Sequence, residues 1–381
     1  MNRPLFSRRD FAKTVSASVA AAVSAPYLHA AQGARHNQPE PADAVRINFN
    51  ENPYGPCPKA LAALDACGGI AARYPDSAYF GLSDEIARKH GVKRENIALG
   101  CGSTEILCIA DEAFVGPDKH LVAADPTFEA VIEYVNAAHG AAVKVPLTKD
   151  HRHDFDAMAA RCTSQTGLVY VCNPNNPTGT IMTRDEVAAF VKRVPPSAIV
   201  LVDEAYFEFA TDPSYATAIP LIAEHPSVIV SRTFSKVYGM AGMRLGYGVG
   251  SKETIARLRP YNLQPFNGNA AVLAAARASL ADKDHIDECG RKLNATRDWM
   301  CAQLTKQGRK FIPSQANFVM IDVGRNVKPV GQAFRAKKIL VGRLFPTMPN
   351  FLRVSIGTRP QMEQFMAALN EIVPVNGSAS A

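Results

Sequence analysis

The chain has 381 residues, of which 47% are hydrophobic and 20% charged. That is enough apolar surface for one large α/β domain with an appendage, or for two to three domains, and it excludes global disorder. The formal net charge is +7, but basic and acidic residues are interspersed and no long basic block occurs, which argues against a nucleic-acid surface.

The chain opens with Ser7-Arg8-Arg9-Asp10-Phe11-Ala12-Lys13 and an Ala/Ser-rich run to Val23. A basic start, a short weakly apolar stretch and small residues around Ala30 form an export signal over residues 1–30. The stretch is too short and too rich in Ala and Ser to span a bilayer stably. Paired arginines followed by Phe and Lys resemble the bacterial twin-arginine signal, whose machinery carries folded proteins. The expected location is therefore the periplasm, with cleavage after Ala30 or after Gly33. An amphipathic surface helix with two chance arginines is the alternative. Residues 1–30 hold Arg3, Arg8, Arg9 and Lys13 against Asp10, so their removal leaves a net charge of +4. No later segment reads as transmembrane.

Residues 31–75 read as an N-terminal arm that joins a small domain and that the family resemblance described below would place at a dimer interface. The next 191 residues, 76–266, read as a large domain. There, short apolar runs at Ile97–Leu99, Gly167–Cys172, Ala198–Asp203 and Ser227–Ser231 have the character of buried parallel strands. Helical stretches separate them, among them Ile106–Ala113 and Arg184–Arg193, the latter opened by Thr183 with Glu186 at the capping-box position. Strand and helix in alternation predict a doubly wound, mostly parallel sheet with helices on both faces. An Ala-rich helix near Asn267–Asp282 begins a smaller α+β domain over 267–373, with strands at Phe318–Val323 and Phe351–Ile356. Residues 374–381 read as a frayed tail. The eight cysteines are scattered without a CxxC pair, which suggests neither a zinc site nor a disulfide framework.

Four segments that follow strands carry candidate chemistry. Gly100-Cys101-Gly102-Ser103-Thr104-Glu105 precedes a helix, so its backbone N–H groups and dipole suit a phosphate; a plain turn with Ser103 or Thr104 as N-cap is the alternative. Asn173-Pro174-Asn175-Asn176-Pro177-Thr178-Gly179 has strong turn propensity on its own. Asp203 closes an apolar strand and is followed by Glu204, Ala205 and Tyr206. Ser231-Arg232-Thr233-Phe234-Ser235-Lys236, with Arg244 beyond, sets a lysine beside hydroxyls and cations, where desolvation would favour a Schiff base; a solvated loop lysine is the alternative. A doubly wound sheet brings all four to one edge. A phosphate cup, a Schiff-base lysine, a buried carboxylate and hydrogen-bonding side chains together match pyridoxal 5′-phosphate.

These segments, with Asn50-Glu51-Asn52-Pro53-Tyr54-Gly55-Pro56, Arg73-Tyr74-Pro75-Asp76 and Phe351-Leu352-Arg353-Val354-Ser355-Ile356-Gly357, resemble the fold-type I aminotransferases, and within them the histidinol-phosphate aminotransferase-like branch. The likeness covers nearly all of the chain after about Val45. It implies that Lys236 holds the cofactor and moves the substrate proton, and that Asp203 pairs with the ring nitrogen. It implies that Asn176 and Tyr206 bond the phenolic oxygen and that Phe128, where the family often has Tyr, stacks on the ring. Gly102, Ser103, Thr104, Thr233, Ser235 and Arg244 would meet the phosphate, and Tyr74 would reach it from the neighbouring subunit of a homodimer. Arg353 would clamp a substrate carboxylate, with Tyr54, Asn317 and Arg343 on the substrate side. No metal is implied.

The resulting expectation is a pyridoxal-phosphate-dependent aminotransferase acting between an amino acid and a 2-oxo acid. Histidinol phosphate is a dianion that does not cross a membrane unaided, so an export signal favours a free donor with an aromatic or other neutral side chain. The alternatives are a histidinol-phosphate aminotransferase proper, a decarboxylase or other lyase on the same scaffold, a tailoring enzyme for an exported compound, and a non-catalytic binding protein.

Overall fold

Strands form where apolar residues run long enough to be buried on both faces. In the computed structural model, which describes residues 41, 43–137, 140–262 and 268–375, these are β1 (Val45–Ile47), β2 (Ile97–Gly100), β3 (His120–Asp125), β4 (Ala142–Pro146), β5 (Thr166–Cys172), β6 (Ile199–Asp203), β7 (Val228–Thr233) and β8 (Gly246–Gly250). The last four are β9 (Phe311–Ile312), β10 (Phe318–Asp322), β11 (Ile339–Val341) and β12 (Phe351–Ser355). The expected signal at 1–30, the boundary at 266/267 and the tail beyond 375 lie outside the described residues.

Seven strands make the main sheet in the order β2-β8-β7-β6-β5-β3-β4. All run parallel except β8, which is antiparallel to both its neighbours. Alternate residues of each strand go to opposite faces. Leu168 and Tyr170 of β5 and Leu201 of β6 join Ile106, Leu107 and Ala110 of the Ser103–Phe114 helix and Ile255 and Leu258 of the Lys252–Leu258 helix in one core. Val169 and Val171, with Val200 and Val202, join Leu82, Met158, Val187 and Phe190 on the other face. Both faces are thus covered, as a sheet of this kind requires. The Arg184–Val191 helix starts where the sequence predicts, with the Thr183 hydroxyl accepting from the Glu186 N–H and the Glu186 carboxylate accepting from the Thr183 N–H.

A second, antiparallel sheet has the order β12-β10-β9, and β1 pairs in parallel with β11 in a third. The chain segment that precedes the main sheet is therefore tied to the last third of the sequence. No helix among the described residues is long and apolar enough to cross a membrane.

Candidate active site

The carboxyl ends of β2, β5, β6 and β7 carry the four segments with candidate chemistry, and adjacent strands bring them together. In β6 and β7, Asp203 lies in register with Ser231, and on the other side it lies in register with Cys172 of β5. Asp203 is buried and accepts hydrogen bonds from the Tyr170 hydroxyl (2.8 Å), the Ser231 hydroxyl (2.9 Å) and the Ala205 N–H (3.2 Å). Burial raises its pKa, and these three donors and the Lys236 charge oppose that rise. The next residue along each strand faces the other way, so Glu204 pairs with Arg232 across the opposite face, at 2.6 Å and fully buried. That ion pair fixes the ends of β6 and β7 from behind.

Lys236 follows β7. Its Nζ donates to the Phe49 carbonyl at 3.3 Å and stands 5.6 Å from the centre of the Tyr206 ring. Its pKa is lowered to about 8, chiefly by desolvation and then by the charge of Arg353, with Arg244 adding to it. A substantial neutral fraction at physiological pH makes it a usable nucleophile and base.

The glycine-rich turn after β2 holds Gly102 at φ +76° as the N-cap of the Ser103–Phe114 helix, so Ser103 and Thr104 are first-turn residues rather than caps. A Cβ on Gly102 would come within 2.3 Å of the Arg244 guanidinium, and a Cβ on Gly246 within 2.2 Å of the Ser103 nitrogen. Only glycine lets the arginine and the helix start close on one another. Arg244 Nη1 donates to the Ser235 hydroxyl (3.2 Å), and Ser235 N–H to the Thr233 hydroxyl (3.0 Å). Helix N–H groups, the hydroxyl side chains of Ser103, Thr104, Thr233 and Ser235 and one guanidinium form a cradle that suits a phosphate monoester.

Phe128 follows β3 and is half-buried. Its loop is tied to the Asn173–Gly179 turn through Asn175, which accepts from the Thr127 hydroxyl (2.9 Å) and donates to the Pro126 carbonyl (3.2 Å). Asn176 is buried, and its Oδ1 accepts from Arg353 Nη1 at 2.7 Å. Tyr206 is buried against Phe318, with its hydroxyl accepting from Asn50 Nδ2 at 3.0 Å.

Arg353 lies on β12 and reaches in from the second sheet. Besides Asn176 it donates to the Asn48 carbonyl (2.9 Å), while its buried Nε has no partner. Burial lowers its pKa to about 10, and the nearby Arg343 charge works in the same direction. The guanidinium carbons of Arg343 and Arg353 lie 4.4 and 5.3 Å from the centre of the Phe345 ring, and Arg343 is also paired with Glu129. Asn317 is buried beside them, donating to the Asn50 (3.1 Å) and Glu51 (3.3 Å) carbonyls with its Oδ1 unpaired. An orphaned guanidinium N–H with a second guanidinium close by calls for an anionic group, whereas the orphaned amide oxygen calls for a hydrogen-bond donor on the guest. Tyr54 and Tyr74 stand apart as exposed side chains, Tyr74 83% accessible.

Asn50, outside the candidate residues, is hydrogen-bonded to Tyr206 and Ser355 in the middle of this cluster. It has φ +56°, its N–H donates to the Ser355 hydroxyl (2.8 Å), and that hydroxyl lies 2.9 Å from its Oδ1. Asn tolerates the left-handed region better than most residues, and a turn-rich sequence around it was the signal available.

Residues 42–369 match the family of class I and II aminotransferases. A histidinol-phosphate aminotransferase of Moorella thermoacetica is 42% identical over 337 residues, covering 87% of this chain and 86% of that protein. Histidinol-phosphate aminotransferase 2 of Pseudomonas aeruginosa is 38% identical, with 88% and 90% covered. Among solved structures, the histidinol-phosphate aminotransferase of Sinorhizobium meliloti in complex with pyridoxal 5′-phosphate superposes with a TM-score of 0.80 at 29% identity, over 87% of this chain and 90% of that one.

Proposed function

This chain belongs to the class I and II aminotransferases and is a pyridoxal-phosphate-dependent enzyme, and from that premise we propose that its amino donor is histidinol phosphate and its acceptor a 2-oxo acid. The observation that carries the reading is the pair of guanidinium groups, Arg353 and Arg343, flanking Phe345 with an unpaired buried N–H between the small sheet and Asn176. Two arginines match a phosphate dianion better than a neutral side chain. The names of the relatives support the same donor.

The site fits the cofactor. Gly102, Ser103, Thr104, Thr233, Ser235 and Arg244 would hold its phosphate, because the cradle at Gly102 has no room for a Cβ. Phe128 would stack on its ring, Asp203 would meet its ring nitrogen, and Tyr206 and Asn176 its phenolic oxygen. When bound, pyridoxal phosphate supplies an electron-poor ring that accepts the electron pair left when the substrate Cα–H bond breaks. Lys236, half-buried and easily deprotonated, would take that proton at Nζ and return it. Arg353 and Arg343 would orient the anionic end of the substrate, and Phe345 and Phe128 would limit water. Exposed Tyr74 would complete the phosphate site of the partner in a homodimer.

A second reading rests on Ser7-Arg8-Arg9-Asp10-Phe11-Ala12-Lys13: export by the twin-arginine route to the periplasm, and an aromatic or other neutral amino acid as donor. Initial rates with histidinol phosphate, histidinol and aromatic amino acids decide between them. The first reading predicts kcat/KM for histidinol phosphate at least about a hundredfold above histidinol, the scale of a lost bidentate ion pair. Equal values, or a preference for the aromatic acids, would reverse the assignment. Fractionation of cells making the full chain, with Arg8→Lys and Arg9→Lys together as control, tests the export signal separately.

A further inference from the structure

Tyr170 sits in the middle of β5, its ring in the same core as Leu168, Leu201 and Ile229, with no accessible surface. A phenylalanine would fill that space equally well. A hydroxyl there is costly unless it is bonded, and its one acceptor is Asp203 Oδ2, at 2.8 Å. The Ser231 hydroxyl and the Ala205 N–H both go to Oδ1. A carboxylate has about four acceptor positions; three are filled from within the protein, and the remaining one is on Oδ2, beside the Tyr170 contact.

Resting on the reading of Asp203 as the partner of the cofactor ring nitrogen, we propose that Tyr170 is a positioning residue whose hydroxyl pins Asp203 as a carboxylate and thereby keeps the shared proton on the ring nitrogen. An aspartate and a ring nitrogen joined by one hydrogen bond share one proton between them. Each donor aimed at the carboxylate stabilises its charged form and lowers its affinity for that proton. The charge of Lys236 acts in the same sense, whereas burial acts against it. Tyr170 offsets that burial on the oxygen that the cofactor would use, and Ser231 does so on the other. The ring keeps its proton, and with it its capacity to accept electrons. Tyr170 does not touch the reacting atoms; it acts through Asp203.

The test is 15N NMR of the protein loaded with pyridoxal phosphate labelled at the ring nitrogen, in wild type, Tyr170→Phe, Ser231→Ala and Asp203→Asn. Wild type gives the resonance of a protonated ring nitrogen and Asp203→Asn that of an unprotonated one. Tyr170→Phe falls between them, and its cofactor dissociation constant rises on the order of tenfold, as for one hydrogen bond to a charged group. Thermal melting of the apoprotein, nearly unchanged by so isosteric a substitution, shows that the core is intact. A Tyr170→Phe resonance identical to wild type, alongside a shifted Asp203→Asn, overturns the role of Tyr170 and leaves Asp203 in place. An unshifted Asp203→Asn removes the reading of Asp203 itself, and the proposal with it.

Discussion

In the proposed reaction Lys236 is the residue on which the chemistry would turn, and its environment makes a quantitative demand. Desolvation, with Arg353 and Arg244 nearby, brings its pKa to about 8. The neutral amine is the form that would react with the cofactor aldehyde. Cofactor capture by the apoprotein should therefore accelerate about tenfold per pH unit below that value and level off above it, whereas an ordinary lysine would level off near about 10.4. Stopped-flow absorbance of the mixing reaction reads this directly, and a plateau only above pH 10 would contradict the environment described. Arg353 makes a second demand, since its Nη1, Nη2 and unpaired Nε serve three directions at once. Arg353→Lys should raise KM for the anionic donor by about ten- to a hundredfold and change kcat less, because a point charge cannot reproduce the planar fork. Lys236 and Asp203 were legible as candidates in the sequence because charged residues at strand ends need a reason to be there, and Arg353 through the family resemblance of its Phe351–Gly357 segment. Asn50, Tyr170, Ser231 and Ser355 were not: a turn asparagine, a core tyrosine and strand serines each have an ordinary explanation until their partners are known.

The arm of residues 48–52 links the two sheets at the site. Its carbonyls accept from Lys236, Arg353 and Asn317, and the Asn50 amide bridges Ser355 of β12 to Tyr206 after β6. Asn50→Gly keeps a backbone that tolerates φ +56° and removes only the amide, whereas Asn50→Ala also strains the turn. The glycine variant should stay within about 1 kcal/mol of wild-type stability while the amino-group half-reaction slows roughly tenfold, the scale of one lost hydrogen bond. The alanine variant should lose a further 1–2 kcal/mol, roughly, in denaturant melts. Full activity in both would show that the arm is packing alone. The long buried strands β5, β6 and β7 could be read from the sequence, as could the helix capped by Thr183. The Gly-rich β8 could not, because its three glycines look like a loop; Gly246 and Gly248 let the Ser103–Phe114 helix lie against the sheet, and Gly250 sits against Ile255 of the Lys252–Leu258 helix. Nor could β1, β9 and β11, at two or three residues each too short to show any period.

Across the whole molecule, strand order is what gathers four distant segments at one edge, and order depends on pairings between strands that no local pattern records. The placement of β8 between β2 and β7 is the clearest case, since it brings Arg244 against Gly102. Two histidines, His153 in the core and half-buried His90, are neutral in the folded chain near pH 7. Burial lowers His90 to about 3 and His153 to about 4, with Arg232 adding to the first and a bond to the Cys172 carbonyl opposing the second. Unfolded histidines titrate near about 6.5, so the unfolded chain takes up these protons first. Their contribution to stability is complete above about pH 6.5 and is lost as pH falls toward 4, at up to about 1.4 kcal/mol per pH unit for each. Chemical denaturation between pH 7 and 5 should show that slope, and His153→Gln should remove about one proton's share of it.

An aminotransferase moves an amino group through a bound cofactor that a second substrate must restore. Mixing the loaded protein with excess histidinol phosphate and no 2-oxo acid tests it in one experiment. Product should form as one equivalent per protomer, with loss of the cofactor's visible absorption, and resume only when a 2-oxo acid is added; Lys236→Ala should show neither step. Continuous turnover without an acceptor, or an absorption that histidinol phosphate leaves unchanged while a free amino acid alters it, would show that the protein does not transfer the amino group of histidinol phosphate.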